Sequence, residues 1–190
     1  MAKDLPTVSF ASAEEWAAWL DQEHDLSPGV WLRLGKKGAA TAILRYPEAL
    51  DVALRYGWID GQKAALDEQA WLQRFTPRGP RSRWSRINRD KASALIERGV
   101  MQPAGLRQVE LAQADGRWDA AYAGQRTAEV PDDLQAALDA DPEAAAFFAS
   151  LTGANRYAIL YRVQDAKRPE TRARRIEQYV AMCREHRTLH

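Results

Sequence analysis

Six arginines, Arg74, Arg78, Arg81, Arg83, Arg86 and Arg89, fall in the run W-L-Q-R-F-T-P-R-G-P-R-S-R-W-S-R-I-N-R from Trp71 to Arg89, which contains no Asp or Glu. The whole chain has a formal net charge of only +1, so its positive charge is concentrated here. A guanidinium is planar, permanently ionised and presents a rigid fork of donors that matches phosphate or carboxylate. Trp71, Phe75 and Trp84 are interleaved with the arginines and add flat apolar surface. The chemistry open to this stretch is anion binding. The competing description is a solvated loop whose arginines pair with carboxylates elsewhere in the chain.

A second stretch, Trp58-Ile59-Asp60-Gly61, follows a helix that Gly57 is placed to stop, so a ring and a carboxylate arrive together on a glycine turn. Trp58 could stack on a ligand and Asp60 could accept a proton. Equally, Trp58 could be core and Asp60 a turn former. The predicted ligand site joins the two stretches. Arg74, Arg78, Arg81 and Arg83 are its charged donors, Ser82, Ser85 and Asn88 its orienting hydrogen bonders, and Trp58 or Trp84 its apolar wall, with Asp60 an acceptor at its edge. Spatial convergence of Trp58, Asp60, Arg78 and Trp84 is part of that expectation.

Other chemistries have less support. Cys183 is the sole cysteine, which removes intramolecular disulfides and cysteine-based metal clusters. His24, His186 and His190 lack metal-ligand spacing, and a Cys183–His186 pair would lie at i,i+3 on an otherwise apolar helix face. Gly35-Lys36-Lys37-Gly38 lacks the glycine and Lys-Ser/Thr spacing of a phosphate loop. No metal and no cofactor is expected, and no catalytic residue is assigned. With 46% hydrophobic and 28% charged residues the chain has enough apolar material for a packed core, which argues against disorder. Nothing reads as a membrane span. The opening M-A-K-D-L-P-T-V-S-F lacks the apolar centre of a signal peptide, so a cytoplasmic location without membrane insertion is expected.

The elements that must position these residues follow from periodicity. Ser12 with Glu15 has capping-box spacing, and Trp16, Trp19 and Leu20 fall at i, i+3 and i+4, predicting a helix to about His24 with both tryptophans in the core. Val30, Leu32 and Leu34 alternate with Trp31 and Arg33, predicting a strand. Pro47 opens a second helix. Residues 63–66 and 70–75 predict two strands, with Trp71, Gln73 and Phe75 on one face and Leu72 and Arg74 on the other. Thr76-Pro77-Arg78-Gly79-Pro80 is expected to leave the sheet as a loop, because proline has no N–H to donate. Ser85 can cap the next helix, which places Arg78 to Trp84 just before a helix N-terminus, a favourable place for an anion. Pro103 opens a further helix, Arg117-Trp118-Asp119 with Tyr122 predicts a short helical turn, and residues 124–129 read as a linker. Beyond Pro131 every stripe is helical, ending in Ile176, Tyr179, Val180 and Cys183 at i, i+3, i+4 and i+7. Basic residues dominate the other face from Arg162 to Arg187, which reads as a solvated face. The fold class is therefore α+β, a small, mostly antiparallel sheet with packed helices at residues 1–124, followed by an all-helical region at 125–190 that packs on it.

Several segments resemble the YdeI/OmpD-associated (OmdA-like) bacteriocin-protection family: E-A-L-D-V-A-L-R-Y-G-W-I-D-G at 48–61, R-F-T-P-R-G-P-R-S-R-W-S-R-I-N-R at 74–89, G-V-M-Q-P-A-G-L at 99–106, D-G-R-W-D-A-A-Y at 115–122, V-P-D-D-L at 130–134 and A-K-R-P-E-T-R-A-R-R-I at 166–176. The resemblance implies a role in tolerance to antimicrobial peptides, an association with an outer-membrane porin, and an α+β N-terminal portion before a helical one. It brings no catalytic residues. The function expected is a non-catalytic stress or protection protein that binds a small anionic, phosphate-bearing ligand at the arginine loop. Two alternatives are weighed beside it. A nucleic-acid-binding protein would use the same arginines and rings but is expected to be more basic than a pI of about 7.9. An enzyme would use Asp60 as general base, a role ill suited to a carboxylate among arginines, which is a better ion-pair partner.

Overall fold

The computed structural model describes residues 5–39 and 42–189. The chain divides into two compact units, Met1–Ala121 and Tyr122–His190. The N-terminal unit has the order β1 (Thr7–Ser9), α1 (Ala13–Glu23), β2 (Val30–Gly35), α2 (Tyr46–Arg55), β3 (Trp58–Ala65), β4 (Ala70–Pro77), α3 (Arg86–Glu97) and α4 (Pro103–Ala114). Its four strands form one sheet in the order β1-β2-β4-β3, with β1 parallel to β2 and the other two pairings antiparallel. The α+β class and the largely antiparallel sheet agree with the sequence reading.

Alternation explains why the sheet buries one face. Val30, Leu32 and Leu34 are fully buried and stand opposite Phe75, Gln73 and Trp71 of β4. Arg74 lies on the reverse face, opposite Trp31, as the period of two requires. Helix α1 covers the core face. Ser12 caps it by accepting from the Glu15 amide, Glu15 accepts from the Ala11 amide, and Trp16 and Leu20 are wholly buried. Trp16 also donates its indole N–H to the Ala49 carbonyl in α2 at 3.2 Å, tying the two helices together.

Two expectations need correction. Trp58-Ile59-Asp60-Gly61 is the start of β3 rather than a turn, because Gly57 at φ +73° has already reversed the chain. Gly61 instead sits in an irregularity of the ladder: Asp60 pairs with Phe75 and Lys63 with Gln73, so two residues of β3 oppose one of β4. Pro77 does not leave the sheet but ends β4 opposite Trp58, and the Arg78 amide donates the next bond to the Gly57 carbonyl at 2.9 Å. Residues 115–120 form the expected short turn, in which the Ala120 amide donates to the Gly116 carbonyl at 3.1 Å. Strand β1 has too few residues for alternation to signal it, and was not foreseen.

The C-terminal unit contains α5 (Asp132–Asp139), α6 (Pro142–Ser150), α7 (Gly153–Asp165) and α8 (Pro169–Arg184). Leu134, Leu138, Phe148, Ile159, Leu160 and Val163 pack with Ile176, Tyr179, Val180 and Cys183 of α8. Burial pushes the Cys183 thiol up from its ordinary pKa, which suits a packing residue and not a nucleophile. Among the described residues no helix is long and apolar enough to cross a membrane.

Candidate functional site

The C-terminal end of α2, the start of β3 and the end of β4 converge with α4 around a pocket of about 320 Å³ in the N-terminal unit. Its walls include Tyr56 and Trp58, Pro77 and Arg78, His24 and Asp25 from the end of α1, and Ala104, Arg107 and Gln108 of α4. Residues 104, 107 and 108 share one helix face by their i, i+3, i+4 spacing. Close approach of α4 to α2 depends on two glycines. A Cβ on Gly105 would lie 2.3 Å from the Arg55 carbonyl oxygen, and one on Gly57 would lie 2.9 Å from that of Ala104. Both positions lack the space a side chain needs.

The arginine loop folds by local bonds. The Ser82 hydroxyl accepts from the Gly79 amide at 3.0 Å, the Ser82 amide returns to the Gly79 carbonyl, and Arg117 Nη1 donates to the Ser82 carbonyl at 2.8 Å. Arg78 is only 4% exposed. Its guanidinium carbon lies 3.6 Å above the Trp84 ring, and its Nη1 donates to the Arg83 carbonyl at 2.9 Å. Stacking of this kind fixes the guanidinium plane, and the N–H groups donate to acceptors that lie in that plane. Trp84 is itself buried and packs edge-on against Trp118, ring centroids 4.9 Å apart. Ser85 caps α3 by accepting from the Asn88 amide at 3.1 Å.

The predicted residues therefore separate. Trp58 and Arg78 line the same pocket, and Trp84 and the Arg83 carbonyl hold Arg78 in place. Ser82 and Ser85 shape the loop and the helix start, and Asn88 is buried in the first turn of α3. Arg81 is exposed, and Arg74, on the reverse face of the sheet, donates to Gln62 Oε1 at 3.4 Å. Trp58 offers its edge to Trp16 and Trp19 and gives its indole N–H to the His24 carbonyl at 3.1 Å, so it is a packed wall. Asp60 lies outside the pocket lining and accepts from the Tyr46 hydroxyl at 2.9 Å.

Sequence reasoning missed Arg107, Gln108, Tyr56, His24 and Asp25 as pocket residues. A signal existed for α4: Gly105 follows Pro103 in the first helical turn, where a glycine has no local structural use, and close approach of another backbone is the usual reason. The lining residues include Arg78, Arg107 and one acidic residue, Asp25, whose carboxylate sits 3.3 Å from His24 Nε2. Burial, reinforced by the nearby Asp21 carboxylate, raises the Tyr56 pKa and keeps that wall neutral. The positive end of the α4 dipole also belongs to this wall, because Ala104 is in the first turn. Among the described residues no group of three or more His, Cys, Asp or Glu side chains could hold a metal ion, and His190 lies outside them.

Residues 8–108, more than half of the chain, match a family described as a domain of unknown function, DUF8412, and residues 127–186 match the family described as Bacteriocin-protection, YdeI or OmpD-Associated. The chain thus belongs to the DUF8412 family and carries, at residues 127–186, a match to the bacteriocin-protection (OmdA) family. The motifs at 48–61, 74–89 and 99–106 fall in the first match, and those at 130–134 and 166–176 in the second. No curated protein and no solved structure matches the chain.

Proposed function

We propose that this bacteriocin-protection-type protein binds a small anionic, phosphate-bearing ligand in the pocket between Arg78 and Arg107, without catalysing a reaction on it. The observation that carries the reading is the make-up of that wall: Arg107, exposed, and Arg78 line it together with a single carboxylate that already has a histidine beside it. Gln108 adds a neutral donor, and the first turn of α4 adds the positive end of a helix dipole. Trp58 and Pro77 form the apolar part of the wall. A volume of about 320 Å³ matches the lower end of ordinary small-ligand sites. Asp60, occupied by Tyr46 and outside the lining, does not enter as a base.

The test is a thermal-shift comparison of inorganic pyrophosphate, ATP, glucose 6-phosphate and a short single-stranded DNA, on the natural protein and on Arg107→Ala. Arg107 is exposed, so its removal should leave the fold intact. A ligand that binds only the folded state adds about 2.7 kcal/mol of stability at one hundred times its Kd. The expected result is a shift from one or more of the small phosphates that Arg107→Ala abolishes. A shift from DNA alone, fading with salt, would replace the pocket by a nucleic-acid surface. No shift from any of the four would end the anion reading.

A further inference from the structure

Val30, Leu32, Gln73 and Phe75 bury one face of the sheet, and alternation puts a different set of residues on the other. Trp31 and Arg33 of β2, Leu72 and Arg74 of β4 and Ile59 of β3 share that reverse face, and all five are partly exposed. Trp31 stands directly opposite Arg74 in the ladder, and Arg33 opposite Leu72. Opposite residues have their Cβ atoms about 5 Å apart and diagonal ones about 7–8 Å, so one indole and two arginines start from one small area. No acidic residue has a place on this face of the four strands.

These side chains are little used by the fold. The other six tryptophans each meet another aromatic ring. Among the described residues Trp31 meets none, and its indole N–H makes no hydrogen bond. Arg74 lies over Gly61, where a Cβ would be 3.7 Å from its Nε, and its Nη1 donates to the neutral Gln62 Oε1 at 3.4 Å. Among the described residues it meets no carboxylate. Arg33 Nη2 is 3.3 Å from Asp67 Oδ2, a long contact to a carboxylate whose other oxygen already accepts from the Gln69 and Ala70 amides. The Nε atoms of Arg33 and Arg74 are buried and unbonded, so both side chains lie along the sheet instead of standing off it.

We propose that this face binds single-stranded nucleic acid, with the Trp31 indole stacking on an unpaired base and Arg33 and Arg74 donating to neighbouring phosphates. Sheet faces that present a ring between basic side chains suit such a strand, because every base has a flat face and every nucleotide a negative charge. A duplex hides its base faces and leaves Trp31 without a partner. A second copy of this chain would put four guanidiniums into one dry interface with no acid from either face, which desolvation penalises. A bilayer calls for apolar side chains that stand out from the surface, whereas Trp31 and Leu72 are set partly into it. The surface is distinct from the Arg78 pocket, whose lining contains none of its residues.

The experiment follows the anisotropy of a fluorescein-labelled oligothymidylate of about twelve nucleotides added to the full chain, at about 50 and 200 mM sodium chloride. Two phosphate contacts predict binding that weakens about sevenfold between these salts, and Arg74→Gln should reduce that factor to about threefold. Trp31→Leu should bind about tenfold less tightly, while Trp31→Phe keeps a ring and most of the affinity. Tryptophan fluorescence quenched by the oligonucleotide in the natural protein should be largely lost in Trp31→Phe. Arg81→Gln removes the same charge from the exposed loop and should leave binding unchanged. Arg74 supports no buried group, so its variant carries the test even if Trp31→Leu fails to fold. Equal affinity of the natural protein and Trp31→Leu, or equal losses from Arg81→Gln and Arg74→Gln, would overturn the proposal. So would binding to vesicles of phosphatidylglycerol and phosphatidylcholine with none to the oligonucleotide, which would make the face a membrane surface.

Discussion

Arg78 in the N-terminal unit and Arg172 in the C-terminal unit are both anchored arginines, yet they are anchored by opposite means. Arg78 is 4% exposed, stacked on Trp84 and bonded to a backbone carbonyl. Arg172 reaches Asp133 with two nitrogens, Nε at 2.5 Å and Nη2 at 2.8 Å, and gives Nη1 to the Val163 carbonyl at 2.8 Å. The same pattern recurs in Arg184, which pairs with Asp141, and in Arg175, which lies 3.7 Å from Asp165. A carboxylate partner neutralises an arginine, whereas a ring and a carbonyl fix the plane and direction of its guanidinium. Tertiary placement decides which occurs, since Asp133 and Asp141 lie 39 and 43 residues from the arginines they meet.

The comparison can be broken first at its scaffold. Gly105→Ala would place a Cβ against the Arg55 carbonyl and 2.6 Å from Met101 Sδ, and only the thioether can yield. The expected loss is about 3 kcal/mol, read by urea denaturation, because α4 must move off α2. A cost near zero would mean that α4, with Arg107 and Gln108, is not seated as described.

Next in size is Arg78→Ala, which removes a buried stem, a ring contact and a carbonyl bond together. About 2 kcal/mol is expected, with Arg78→Lys recovering little, since an ammonium cannot stack and bond in one plane. Were Arg78→Lys to restore full stability, Arg78 would be acting as a point charge and the contrast with Arg172 would disappear.

The smallest effect sharpens the other side. Hydrogen bonding from Arg172, then its charge, lowers the Asp133 pKa, and Arg172 is correspondingly raised. A carboxylate with a depressed folded pKa contributes stability that is complete above its unfolded value near 4 and is lost as pH falls through the lower folded value. The side chain of Asp133 is 46% exposed, so solvent screens the pair and the contribution should be no more than about 1 kcal/mol. In thermal melts from pH 6 down to pH 2, Asp133→Asn should be less stable than the natural protein at the upper end and equal to it at the lower. A gap that stayed constant across the range would rule out the ion pair as its source.

Much of the scaffold was legible because it rests on short-range patterns. The alternation of Val30, Leu32 and Leu34, the Ser12 and Ser85 caps and the α8 stripe each state their element within a few residues. Trp58 to Gly61 misled because a single glycine turn before it, not after it, was enough to start a strand. At the site, sequence named Trp58 and Arg78 but not Arg107 and Gln108. Chemical type identifies an arginine, but which helix face meets which sheet end is a tertiary fact, and here two glycines set it.

The shift in register between Asp60 and Lys63 has a consequence for how copies of this protein treat one another. Strand β3 is the outermost on its side of the sheet, and such a margin exposes backbone donors and acceptors on which a neighbouring chain can extend the ladder. An extra residue at Gly61–Gln62 breaks the even spacing an incoming strand would need, and Gln73 takes up the Gly61 and Gln62 carbonyls from the inner side. The opposite margin is β1, with three residues. One border is too irregular to copy and the other too short, so the sheet resists growing into fibres while the protein is folded.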